Sequence, residues 1–266
     1  MSHLLELTKV SKRFGGLQAV NEVDFHADPG EIVGVIGPNG AGKTTLFNIV
    51  TGFYSPDAGT MIFDGHNIAG LKPNALTRLG MARTFQSVRL FNAMTVLENA
   101  MVGQHSRTKS GIWGALTRTG RTLKEEERIT ETARRSLAFF DDRLLPRQDS
   151  LASDLAYADR RRLEIARAMA TEPKLMLLDE PAAGMNPAEK DKLIKQIGRL
   201  RDEQGFSIIL IEHDMPVIKS VSDRVVALDH GIKIAEGTYG EVSSNQQVIE
   251  AYLGKAAAEQ QEELPS

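Results

Sequence analysis

The sequence contains no cysteine. Disulfides, thiolate metal sites and a cysteine nucleophile are therefore excluded. A charge excess is missing too: 32 Lys and Arg against 35 Asp and Glu leave a net charge of −3. Binding to bulk DNA or RNA, which rests on a strong basic surplus, is not expected. Long hydrophobic runs are absent. Segments such as LMLL at 175–178 fall far short of the roughly 20 apolar residues that cross a bilayer, so any membrane association goes through a partner or the surface. The opening MSHLLELTKVSKRFGG has no basic flank followed by a long apolar core, and no signal peptide is expected. No internal repeat is present. What remains is a chain of 266 residues, 41% apolar and 25% charged, with the composition of an ordinary globular protein and room for one large domain or two that share a core.

Strand-like and helix-like stretches alternate at both ends of the chain. LLELTKV (4–10) and AVNEVDFHA (19–27) alternate roughly at period two, IVGVIG (32–37) is almost wholly apolar, and TMIFDG is a short strand between turns. An all-apolar strand suits a sheet covered on both faces. From about Pro73 to Glu172 helical spacing dominates, as in 123–142 and 160–170. Strands return in KLMLLDE (174–180), SIILIEH (207–213) and RVVALDHGIKIAEG (224–237), the last reading as a hairpin, with an amphipathic helix at 187–205 between them. The pattern predicts an α/β core with an inserted α-helical block, about 87–172, in a single domain over 1–253, and a polar, frayed tail over 254–266.

GPNGAGKTT fits the spacing G-x-x-x-x-G-K-[ST], with Gly37, Gly42, Lys43 and Thr44 at the specified places. Glycines let the backbone wrap closely, so that successive N–H groups point at phosphate oxygens. The helix that follows aims its positive end at the same place. Lys43 then reaches the β- and γ-phosphates, and the Thr44 hydroxyl suits Mg²⁺. Gly37, Pro38, Asn39, Gly40, Ala41, Gly42, Lys43, Thr44 and Thr45 together form the candidate nucleotide cradle. A plain glycine-rich strand–helix turn is the bland alternative, but strand and helix both stand where the motif needs them.

A phosphate-bound Mg²⁺ needs a carboxylate from a neighbouring strand end. KLMLLDE supplies Asp179 to hold the ion, directly or through water, and Glu180 to orient or deprotonate an attacking water. Alone, an Asp-Glu at a strand end reads equally as a solvated cap.

In this order and spacing the motifs resemble an ABC-transporter ATPase subunit over nearly the whole chain. The resemblance implies that family's fold: a P-loop NTPase core with an antiparallel β subdomain and an inserted α-helical subdomain. It also implies roles. Gln86, in ARTFQSVRLF, corresponds to the glutamine that senses Mg²⁺ and water and contacts the membrane partner. His213, in LIEHD, corresponds to the switch histidine on the γ-phosphate. Phe14, in KRFGG, corresponds to the aromatic that stacks on adenine. Taken singly, each reads as a surface glutamine, a core histidine and a core phenylalanine.

The family's signature, usually Leu-Ser-Gly-Gly-Gln, contacts the γ-phosphate held on the opposite subunit. Here Leu155, Ala156, Tyr157, Ala158 and Asp159 stand in its place. Ala156 lacks the serine hydroxyl, Ala158 adds a Cβ where a glycine is usual, and Asp159 opposes a phosphate if it lies close. The three following arginines offset part of that charge. PAAGMNP, with Asn186 where many relatives carry Asp, EHDM and RRRLEIARA are together similar to the LivG-type subunits of branched-chain amino-acid importers. The insert at 105–128, with Arg107, Lys109, Arg118, Arg121 and the single tryptophan Trp113, resembles that group as well. It reads either as a face toward a permease and lipid headgroups or as a solvated charged loop.

The resemblance implies ATP and Mg²⁺ as cofactors and a head-to-tail pair of ATPase subunits, homo- or heterodimeric, around two ATP molecules. It further implies transmembrane permease subunits as partners, a periplasmic or extracellular binding protein acting indirectly, and a peripheral place on the cytoplasmic face of the membrane. A kinase or GTPase is disfavoured, because no N-K-x-D segment is present. A soluble non-transport ABC ATPase remains the alternative, as does a nucleotide-binding subunit with weak hydrolysis.

Overall fold

A computed structural model describes residues 3–107, 120–140 and 143–253. Two sheets organise it. The strands β1 (Leu5–Phe14), β2 (Leu17–Ala27), β4 (Ala58–Phe63) and β5 (His66–Asn67) form an antiparallel sheet in the order β2-β1-β4-β5. The larger sheet runs β10 (Ile232–Gly237), β9 (Arg224–Asp229), β3 (Ile32–Ile36), β8 (Ser207–Ile211), β7 (Leu175–Asp179), β6 (Met81–Arg83). Its strands are parallel except for β10, which returns along β9 as a hairpin.

The all-apolar strands are buried on both faces, and their side chains divide by period two. Val33, Val35, Leu175, Leu177, Ile209 and Ile211 point to one core, shared with the antiparallel sheet and α1 (Lys43–Val50). Ile32, Ile36, Met176, Leu178, Ile208 and Leu210 point to the other, shared with the helical block. Parallel pairing in the order β3-β8-β7 brings the C-terminal ends of these strands side by side, and Lys43, Glu180 and His213 follow them.

The helical block comprises α3 (Val96–Val102), α4 (Gly120–Ala138) and α5 (Tyr157–Met169). One element inside the segment with helical spacing is a strand: β6 spans only three residues and pairs with β7. Three residues are too few for alternation to show. After β7, α6 (Pro187–Asp202) starts at Asn186, whose side chain accepts the Glu189 N–H at 3.0 Å while Glu189 reaches back to the Asn186 N–H. Asn and Asp cap a helix about equally well, so this departure from many relatives leaves the helix start intact. α7 (Met215–Val221) follows β8, and two helices, α8 (Tyr239–Ser243) and α9 (Gln246–Leu253), close the described chain. Of the insert, residues 108–119, including Lys109, Trp113 and Arg118, lie outside the described residues, as does the tail 254–266.

Asn99 on α3 holds the loop that leads out of the Gln86 segment. Fully buried, it accepts the Phe91 N–H at 2.9 Å and donates to the carbonyls of Phe91 and Thr95, each at 3.0 Å. Asn99→Ala strands these backbone groups and is expected to cost about 2 kcal/mol by urea denaturation, with faster amide exchange over residues 88–95.

Candidate functional site

The loop between β3 and α1 is forced by its neighbours to be glycine at two places. Gly37 has φ +147, and a Cβ there would sit 2.1 Å from the Leu228 carbonyl oxygen; Gly42 has φ +100, and its Cβ would sit 2.5 Å from the Ala19 carbonyl oxygen. Both carbonyls belong to strand backbone that cannot yield. With Cβ atoms excluded, the loop folds tightly over the start of α1. Lys43 is buried and its ammonium donates to the carbonyls of Gly37, at 2.6 Å, and Pro38, at 2.9 Å. Burial lowers its pKa, opposed by the charges of Glu180 and Asp179. The cation is thus suspended over the loop, with a carboxylate pair opposite.

That pair ends β7. Asp179 is buried, and Arg83 Nη2 donates to its Oδ2 at 3.0 Å. Burial raises the Asp179 pKa, and Arg83 pulls it back. Arg83, from the short strand β6, also donates to Asn48 Oδ1 on α1, at 2.6 Å, and to Oγ1 of Thr51, which caps its C-terminus, at 2.9 Å. The rings of Phe47, Phe53 and Phe85 surround its guanidinium at 5.1–5.7 Å. Glu180 adopts a left-handed backbone, φ +48, which turns its side chain away from the strand direction. Its carboxylate lies between two side chains: Gln86 Nε2 donates to Oε2 at 3.2 Å, and His213 Nε2 is 2.8 Å from Oε1.

Asn39, Gly40, Ala41, Gly42, Lys43, Thr44 and Thr45 share one cavity of about 800 Å³ with Gln86, Glu180 and His213. Leu17, Gln18, Ala19 and His230 complete its wall. Of the sequence candidates, Gly37 and Pro38 stand behind the loop as acceptors for Lys43, and Asp179 stands behind Glu180. Phe14 is not on the wall. It sits at the tip of the β1–β2 hairpin with its ring edge-on to Tyr54 at 5.1 Å, while Leu17, its cross-strand partner and 67% exposed, lines the cavity. Cross-strand partners share a face of the sheet, so it is the packing of the Phe14 ring on Tyr54, which a single aromatic in a sequence does not reveal, that distinguishes it from Leu17 on the wall. Leu17, His230 and Arg83 carry no motif signal.

None of residues 155–159 touches this cavity. Leu155 is buried, Ala156 precedes the first turn of α5, and Tyr157 is exposed, with its ring close to Gly184. Ala158 and Asp159 point inward. The Ala158 side chain joins the helical core. Asp159 Oδ1 accepts from Arg162 Nη1 at 2.7 Å, and Arg143 and Arg147 lie at 3.9 and 4.0 Å. Its charge is compensated inside the fold. α5 begins so that its second and third residues face the core. Of the other two arginines, Arg160 turns back on the carbonyls of Ser153 and Leu155. Arg161 donates to the carbonyls of Phe85 and Gln86, tying α5 to the segment that carries Gln86.

Comparison with known proteins agrees with this geometry. The family model "ABC transporter" matches residues 20–183, and the model "Branched-chain amino acid ATP-binding cassette transporter" matches residues 233–258. The high-affinity branched-chain amino acid transport ATP-binding protein LivG of Escherichia coli (strain K12) is 45% identical over 95% of this chain and 98% of its own. The counterpart BraF of Pseudomonas aeruginosa is 44% identical over the same shares. Among solved structures, the ADP conformation of an ATP-binding cassette of an ABC transporter superposes with a TM-score of 0.82, at 30% identity, over 96% of this chain and all of that one.

Asp159→Ala leaves Arg162, 2% exposed, without its counter-charge. It is expected to cost about 3 kcal/mol in urea denaturation, with the nucleotide affinity of the folded chain unchanged in calorimetry. Weaker nucleotide binding by the folded variant would return Asp159 to the site.

Proposed function

This chain belongs to the ABC transporter family, and from that premise we propose that it powers an importer of branched-chain amino acids. It is an ATP-binding subunit and an ATPase. The observation that carries the reading is the placement of Glu180, at the end of β7, between Gln86 and His213 and across one cavity from the phosphate loop. The cargo class is supported by the likeness to LivG and BraF and by the family match over residues 233–258.

The work of the site is positioning and charge. The backbone N–H groups of the loop and the N-terminus of α1 bind the phosphates. Lys43, already pointed over the loop, places a cation where negative charge develops on the transferred phosphoryl group. Glu180 accepts a hydrogen bond from the attacking water and takes its proton as the water oxygen bonds to the γ-phosphorus and the bond from that phosphorus to the bridging oxygen breaks, releasing ADP and phosphate. His213, within reach of the same carboxylate, orients it and faces the γ-phosphate. Thr44, Gln86 and Asp179 would hold Mg²⁺. Their hydroxyl, amide and carboxylate oxygens suit a hard divalent cation, and Arg83 occupies only one of the two Asp179 oxygens. The ion, when bound, neutralises charge on the phosphates.

Because residues 155–159 lie away from this chain's own cavity while Tyr157 faces outward, we place the exposed face of this segment, around Ala156 and Tyr157, against the nucleotide of a second ATPase subunit, homologous or identical. Opening and closing of that pair would move permease subunits through the Gln86 segment, which Arg161 ties to α5. No helix among the described residues is long and apolar enough to cross a membrane. The proposed place is peripheral, on the cytoplasmic face, with the binding protein acting across the bilayer.

Calorimetry, uptake, a pull-down and a pH profile test this. Lys43→Ala is expected to weaken ATP binding at least about tenfold in calorimetry and to abolish uptake of labelled leucine, isoleucine and valine in cells that depend on this chain. Uptake that survives deletion of the chain removes the cargo assignment, and recovery of ribosomes instead of permease subunits in a pull-down favours a soluble ATPase. In Arg83→Gln, burial raises the Asp179 pKa with only the more distant charge of Arg161 left to oppose it. An ionised Asp179 is needed, so the acidic limb of the kcat/KM profile for ATP hydrolysis is expected to move to higher pH.

A further inference from the structure

The last described helix reaches the phosphate loop. α9 starts at Asn245, whose side chain accepts the Gln247 N–H at 2.9 Å, and it seats the buried Val248 against the helical-side core. A groove of about 420 Å³ under it is lined by Ile36, Met215, Tyr239 and Val248. Ile36 is the last residue of β3 and the residue before Gly37. At the far end of the helix, the Tyr252 hydroxyl accepts the Gly37 N–H at 2.7 Å.

Gly37 is therefore held on three sides. Its Cα faces the Leu228 carbonyl, too close for any side chain. Its N–H is bound by Tyr252, and its own carbonyl accepts from the Lys43 ammonium at 2.6 Å. A single residue thus connects a phenol on the C-terminal helix to the cation that meets the phosphates. Glycine has the softest backbone of any residue, so the direction of its carbonyl depends on what holds its two peptide planes.

We propose that Tyr252 is a positioning residue for Lys43: by accepting the Gly37 N–H it orients the carbonyl that aims the ammonium, and the seat of the C-terminal helix thereby sets nucleotide affinity. This rests on the ATP-binding reading above and extends it to a residue far beyond Lys43 in the chain. The role is steric and electrostatic, and Tyr252 does not touch the nucleotide.

Tyr252→Phe in the full chain removes the hydroxyl and keeps the ring in its groove. Calorimetry with a non-hydrolysable ATP analogue and Mg²⁺ is expected to show a Kd about two- to tenfold weaker, the span of one hydrogen bond. In the assembled ATPase the KM for ATP rises by a similar factor, with kcat within about twofold. A role in stability alone would lower Tm and leave Kd and KM at the parent values, and that result overturns the proposal. In a Lys43→Arg background the same substitution is expected to change Kd by less than about twofold. A full, additive loss there shows that Tyr252 does not act through Lys43 and overturns the proposal as well. Failure of the unsubstituted chain to bind ATP would instead sink the functional reading on which the proposal rests.

Discussion

The Arg83–Asp179 ion pair, closed inside a box of three phenylalanine rings, is the interaction around which the site is assembled. A carboxylate with this little access to water is stable as an anion only beside a cation, and an unpaired guanidinium there would be equally costly. The pair therefore locks the edge strand β6 to the end of β7. Through Asn48 and Thr51 it locks α1 to both. Everything that must converge on a phosphate chain follows within a few residues of these points: Lys43 starts α1, Gln86 follows β6, and Glu180 follows β7.

The same logic of satisfied charge governs the helical block. α5 buries two arginines and two acids, an arrangement that a soluble helix tolerates only if each finds a partner. Arg162 finds Asp159, and Arg161 finds Glu164 and the backbone of Phe85 and Gln86. The second set reaches the site. Arg161 joins α5 to the Gln86 segment, and Gln86 donates to the Glu180 carboxylate, so one guanidinium links the helical block to the end of β7.

The antiparallel sheet and the C-terminal helices approach the phosphate loop from opposite sides. From one side the Ala19 carbonyl closes on Gly42; from the other Tyr252 closes on Gly37. The loop is not free backbone that folds around a ligand. It is pre-shaped by both flanks, which lowers the ordering cost of binding an anion there.

Much of this was legible in residue order. The glycine spacing before Lys43, the apolar strand ending in Asp179-Glu180 and the His213 after SIILI are local patterns, because phosphate binding at a helix start and a carboxylate at a strand end are satisfied within a few consecutive residues. Burial on both faces of the central strands follows likewise from their unbroken apolar runs. Other features depend on contacts between residues far apart in the chain. β6 is strand only because β7 lies beside it, and Arg83 matters only because Asp179, 96 residues later, is brought to it. Leu17 lines the cavity while its partner Phe14 packs on Tyr54, Asp159 turns inward because α5 packs that face, and Tyr252 meets Gly37 because the chain end folds back across β3. The sequence alone determined the chemistry available to this protein, since that is written in residue types at short spacing. The tertiary structure decided which charges are neutralised and which face the nucleotide, since a side chain's environment is set by whatever distant backbone is packed against it.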